Sequence, residues 1–163
     1  MSSAAVYAAC ATFLETDVRT GVNAEQTGAL VAGSVKTTRR PRGSTPRVAN
    51  AFPLSVEIVP QARAPGRAIG PTHEECDYTF DLEINLRRKA LPTGATQLAT
   101  VEDVARALIR RYQAATGLSI TATGATFRRA ACFLQAFEDG SDAELERALV
   151  RLTLTFTEAL AAN

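Results

Sequence analysis

Cys76-Asp77-Tyr78-Thr79-Phe80-Asp81-Leu82-Glu83-Ile84-Asn85-Leu86-Arg87 decides how this chain folds. Tyr78, Phe80, Leu82, Ile84 and Leu86 fall on one side of an extended backbone. Asp77, Thr79, Asp81, Glu83, Asn85 and Arg87 fall on the other. Such alternation marks a strand with one buried and one polar face. A buried sheet face needs a partner layer. Val101, Val104, Ala105, Leu108, Ile109 and Tyr112 supply it, spaced as the apolar stripe of a helix over 101–115. Thr100 and Asp103 resemble a capping box, and Gly117 is the expected stop. Glu102 and Asp103 come early, Arg110 and Arg111 late, as the helix dipole prefers.

Outward from this pair the pattern is less regular. Val6, Ala9, Cys10, Phe13 and Leu14 predict a helix over 3–15, with Gly21 just beyond it. Residues 16–50 are rich in Gly, Thr, Pro and Arg and predict a long loop, with Leu30, Val31 and Val35 as a candidate short strand. Leu54, Val56 and Ile58 alternate within a strand over 52–59, bounded by Pro53 and Pro60. Residues 61–73, with two prolines and two glycines, predict a second loop. Two further strands are expected over 126–137 and 148–157. In the first, Phe127, Ala131, Phe133 and Phe137 share a face; in the second, Val150, Leu152, Leu154 and Phe156 do. The turn-forming Asp139-Gly140-Ser141-Asp142 lies between them, and 143–149 could begin as a helical turn. The expected fold class is α+β: an antiparallel sheet of about four strands, helices packed on one face, and long irregular loops. With 163 residues, one domain spanning 1–163 is expected.

Composition excludes several classes. Net charge is +1, which argues against a dedicated nucleic-acid binder. No apolar run approaches the ~20 residues of a membrane span, so no membrane partner is expected. No basic stretch precedes the alanine-rich N-terminus, so no signal peptide is expected. Cys10, Cys76 and Cys132 have neither disulfide-framework nor zinc spacing. Lys and Arg number 18, of which only Lys36 and Lys89 are lysine. GC-rich codon usage accounts for that as well as physics does.

Candidate chemistry is sparse. The one histidine, His73, would need Glu75, Cys76 and a further ligand to hold a metal. A serine or cysteine nucleophile needs an adjacent base, and His73 is the only imidazole. No glycine-rich phosphate loop is present. Asp77, Asp81 and Glu83 offer carboxylates on one strand face, a pattern commoner on solvated or interfacial strands. The expectation is no enzyme, no metal and no cofactor. The alternative is a small enzyme or ligand-binding domain whose site carries no motif.

The remaining charge is segregated. Lys36-Thr-Thr-Arg39-Arg40-Pro-Arg42-Gly-Ser-Thr-Pro-Arg47 has five positive charges and no negative one. Glu138, Asp139, Asp142, Glu144 and Glu146 form an acidic counterpart. Arg pairs with carboxylates in fixed, two-pronged geometry. Lys36, Arg39, Arg40, Arg42 and Arg47 are therefore candidate contacts to those acids on an adjacent copy or ring.

The succession matters as a whole: an amphipathic N-terminal helix, a loop, and a strand ending in Pro60. Then come the alternating strand Cys76–Arg87, the helix Thr100–Tyr112 and the final strand Arg147–Phe156. Over nearly the whole chain this layout resembles the tail terminator (tail completion or neck) proteins of long-tailed bacteriophages. The resemblance implies a virion structural subunit, made in the host cytoplasm, that assembles as a homohexameric ring. Such a ring caps the tail tube, meets the head-side connector, and lets DNA pass through its lumen. The implied partners are other copies of the chain, a tail tube protein and a head-completion protein. The 16–50 segment, longer than a compact member needs, is then an inter-subunit arm or a contact with the neighbouring ring. Another head–tail connector or tube-type protein is a neighbouring reading.

Overall fold

The computed structural model describes residues 3–25, 35–44, 54–87, 101–114, 118–138 and 145–160. Helices α1 (Ser3–Glu25) and α2 (Val101–Gln113) accompany six strands. These are β1 (Val35–Arg39), β2 (Leu54–Ile69), β3 (His73–Leu86), β4 (Thr121–Ala122), β5 (Ala125–Glu138) and β6 (Glu146–Ala159). They form one sheet in the order β1-β2-β3-β6-β5-β4. β1 runs parallel to β2; every other pair is antiparallel.

The expected four-stranded antiparallel sheet with helices on one face is thus corrected to a six-stranded, mixed and curled sheet. The curl follows from contacts. Helix α1 touches β1 and β2 near one edge and also β4 at the other. A flat sheet of six strands separates its edge strands by roughly 24 Å, at about 4.8 Å per step. A helix only ~10 Å across reaches both edges when the sheet wraps around it.

The core lies inside the curl. Val6, Cys10, Leu14, Val18 and Val22 of α1 are buried there, on the stripe read from its first half and continued one turn at a time. Tyr78, Phe80, Leu82, Ile84 and Leu86 join Val104, Leu108 and Tyr112 in the same cluster, with Ile109 packed partly buried against it. Tyr7 of α1 meets Tyr78 and Phe80 edge-on, with ring centres 4.9 and 5.4 Å apart.

Several boundaries differ from the sequence reading. Helix α1 passes through Gly21 to Glu25, so part of the 16–50 loop is helical and Val35–Arg39 is a strand. The glycine serves a close approach rather than a stop. A Cβ at Gly21 would lie 2.7 Å from Cδ of Arg111. That space lets Arg111 reach Asp17 with two hydrogen bonds, 2.8 and 2.6 Å, while the Tyr112 hydroxyl donates to the same carboxylate at 3.0 Å. Alanine at position 21 should therefore displace Arg111 and forfeit most of the ~1 kcal/mol that Gly→Ala gains in a helix. Combined with Arg111→Ala, Gly21→Ala should recover that gain. Chemical denaturation of the two single variants and the double variant measures the coupling.

The second loop, 61–73, is also mostly strand. β2 continues through Pro60 and Pro65 to Ile69, with register shifts at Pro60/Ala62 and Pro65/Ala68. The prolines are tolerated because β1 ends at Arg39 opposite Ile58, so beyond it, among the described residues, β2 pairs only with β3. In β5, register shifts at Phe127/Arg129 and Leu134/Ala136 break the expected single face of Phe127, Ala131, Phe133 and Phe137. Phe133 is exposed, while Cys132 beside it is buried. The strand β6 begins at Glu146, where a helical turn was an alternative. Thr100 and Gly117, read as cap and stop of α2, lie outside the described residues. So do 26–34, which contain Leu30 and Val31.

Candidate functional site

The period of two carries its residues to two different polar sites. On the outer face, Glu57 of β2 lies directly opposite Glu83 of β3. Like charges placed so repel. Arg40, just after β1, is buried between them: its Nε bonds Glu57 at 2.9 Å and its Nη2 pairs with Glu83. One register step along, Asp81 faces Arg151 and accepts two hydrogen bonds from it, 2.8 and 3.0 Å. Asp77 accepts from the Thr155 hydroxyl at 2.6 Å. The three carboxylates read as a candidate acid–base face therefore each have a partner within the chain.

On the inner face, at the far end of the curl, polar groups interrupt the apolar phase. Glu74, Cys76 and Tyr78 of β3 continue the phase of Phe80 and Leu82. Glu158 of β6 continues that of Leu152, Leu154 and Phe156. Arg63 of β2 pairs in register with Tyr78. Its Nη2 donates to Glu74 at 3.0 Å, Cys76 Sγ at 2.9 Å and Glu158 at 3.2 Å, and its Nε to the Tyr78 hydroxyl at 3.2 Å. Tyr78 in turn donates to Glu158.

Ligand atoms of Glu74, Cys76 and Glu158 lie within 4.8 Å of one another, which is metal-like convergence. Yet the Arg63 guanidinium bonds all three, so a positive charge already balances the carboxylates there. The His73–Glu75–Cys76 set does not converge. Glu75 and Cys76 point to opposite faces, and exposed His73 shares a hydrogen bond with Thr72 at 2.9 Å.

Burial pushes the Cys76 thiol up to about 12, reinforced by the Glu158 charge. Cys10 and Cys132 are raised to about 12 as well, chiefly by burial. A thiol held neutral is a poor nucleophile. The Tyr78 hydroxyl is likewise raised, first by burial and then by its bond to Glu158. No thiol-specific labelling is expected in the folded protein at pH 8. The sign for stability follows. Below the ordinary thiol value of 9.0 both folded and unfolded chains keep these protons. Above it the unfolded chain ionises while the folded chain does not until about 12. Stability should fall as pH rises through that window. Thermal melts from pH 8 to 10.5 check this, and Cys132→Ala should make the decline shallower.

The charged residues singled out in the sequence go to different places. Arg39 bonds Glu15 at 2.9 Å and Thr12 at 2.8 Å on α1, Arg40 is buried as described, and Arg42 donates to the Gln61 carbonyl at 2.9 Å. Lys36 is exposed on β1. Glu146 is buried and accepts from the Val101 amide at 3.2 Å, so it caps the first turn of α2 from across the core. Glu138 ends β5 opposite Arg147 in register. Arg47, Asp139, Asp142 and Glu144 lie outside the described residues. The structure does not bring the basic and acidic groups together within one chain at the positions it describes.

Arg63 and Glu158 were missed because they lie 95 residues apart in sequence. A signal was present: Glu74 and Glu158 occupy apolar phases of their strands, which marks an inward carboxylate needing a partner. No known protein family matches this chain, and no curated protein does. Among the described residues, no helix is long and apolar enough to cross a membrane.

Proposed function

We propose that this chain is a virion structural subunit of the tail terminator or neck type. Copies assemble as a homohexameric ring that caps a tail tube and receives the head-side connector, with DNA passing through the lumen. The observation that carries this reading is the succession of elements. A long N-terminal helix leads to a hairpin holding the long alternating strand, then one amphipathic helix, then a closing pair of strands. The use of charge supports it. Arg40, Arg63, Arg111 and Arg151 are spent tying strands and helices together, as suits a subunit that carries mechanical load.

Sedimentation velocity and negative-stain imaging of the purified protein test the reading. The expected result is a discrete ring with six-fold class averages. A species that stays smaller than a hexamer over the accessible concentration range overturns it. The candidate basic contacts are then probed by Arg39→Glu with Arg42→Glu. Arg40 is left intact, because a glutamate there would meet Glu57 and Glu83 and report on folding instead.

A further inference from the structure

The outer face of the sheet carries a concavity at the end away from the Arg63 cluster. There Asn85 of β3 stands in register with Arg147 of β6, and Glu83 with Leu149. The register shift at Leu134/Ala136 sets the small Ala136 of β5 opposite Leu149. Bulges bend a strand and re-aim its side chains, often beside binding sites. The groove next to this one has a volume of about 180 Å³ and is lined by Glu83, Asn85, Ala136, Arg147 and Leu149. Its polar groups are not used up by the fold. Asn85 is 5% exposed, yet none of the described residues hydrogen-bonds its side-chain amide. A buried amide left so costs free energy that a bound partner recovers. Arg147 is exposed, and among the described residues no carboxylate pairs with it. Two residues beyond Asn85, in the same strand phase, the buried Nε of Arg87 also lacks a hydrogen-bond partner. Arg40, Arg63, Arg111 and Arg151 are by contrast all paired.

We propose that this groove binds the carboxylate of a small organic acid. Side chains directly opposite on neighbouring strands have Cβ atoms roughly 5 Å apart. One carboxylate can therefore accept from the Arg147 guanidinium and the Asn85 amide together. Its two coplanar oxygens suit the guanidinium fork. Arg87 adds positive charge at the same end, while Leu149 and Ala136 offer apolar surface to the rest of the molecule. Size narrows the class. Pockets for drug-sized ligands run roughly 300–1,000 Å³, so a groove of about 180 Å³ suits an acid of only a few carbons. Charge narrows it further. Glu83 lines the other end of the groove, and its pairing with Arg40 offsets its charge without removing it. A second anionic group, or a more highly charged anion, is disfavoured there, so the ligand is a monocarboxylate with a short apolar tail. The site does not depend on assembly and stands whether or not the chain forms a ring.

Calorimetric titration of the purified protein with isovalerate tests this, with succinate, inorganic phosphate and isoamyl alcohol as comparisons. Isovalerate should saturate at one site per chain. Succinate and phosphate should bind at least roughly tenfold more weakly, and the uncharged alcohol should give no saturable heat. Arg147→Ala and Asn85→Leu should each weaken isovalerate by at least roughly tenfold, the effect of one hydrogen bond to a charged group. Both variants are checked for an unchanged melt. Arg147 is exposed, so Arg147→Ala decides the matter if Asn85→Leu does not fold. Glu138, in register with Arg147 on β5, is the rival carboxylate. Binding that appears only in Glu138→Gln overturns the proposal, because the chain then satisfies Arg147 itself. No saturable binding of isovalerate, phosphate binding as tight as isovalerate, or unchanged affinity in Arg147→Ala overturns it as well. Binding by a protein that forms no ring supports the site and overturns only the ring reading.

Discussion

Leu82→Ala should lower the unfolding free energy by about 2–5 kcal/mol. Leu82 is fully buried at the middle of β3, with Ile58 opposite on β2 and Val150 opposite on β6. Three adjacent strands hold the site, and their backbone hydrogen bonds resist collapse into a cavity. Leu108→Ala, on the helix side of the same cluster, should cost a similar amount. Urea denaturation with an unchanged slope checks both. A loss near zero in both would mean that the strand face and the helix face do not share a core.

Arg40→Ala should be at least as damaging, about 3–5 kcal/mol, although it removes no core methyl group. The cause is what remains. Glu57 is 2% exposed and would lose the guanidinium that bonds it, with Glu83 opposite in register. Adding Glu57→Gln should recover part of the loss, because it removes a buried carboxylate that lies opposite Glu83. Arg39→Ala is the control. Its pair with Glu15 is 43% and 38% exposed, so the expected cost is only ~0–1 kcal/mol. Equal losses at 39 and 40 would place Arg40 in a solvated rather than a buried pair.

The contrast between Arg39 and Arg40 also shows where sequence reading stops. Both sit in one basic run, next to each other, with the same chemistry. One reaches Glu15 on α1 and the other is buried beside two glutamates, because the extended backbone continues through Arg40, whose amide bonds Ile58, and successive side chains point to opposite faces. Segregated charge suggested contacts between copies. Within the described residues, Arg39, Arg40 and Arg42 are bonded to their own chain, and Glu146 caps α2.

Local pattern by itself determined the alternating strand, the amphipathic α2 and the pairing of their apolar faces. Each of those signals repeats within a dozen residues, and burial of one face is the dominant energy. Only the tertiary structure decided the rest. Pro60 read as a strand end and Pro65 as part of a loop, yet β2 runs through both because, among the described residues, no strand pairs with its far side there to need their amides. Gly21 read as a helix stop, yet it gives Arg111 room to reach Asp17. The parallel β1, the curl around α1 and the Arg63 cluster all depend on residues far apart in the chain. Their partners are chosen by which edges and charges meet on folding, which no local period encodes.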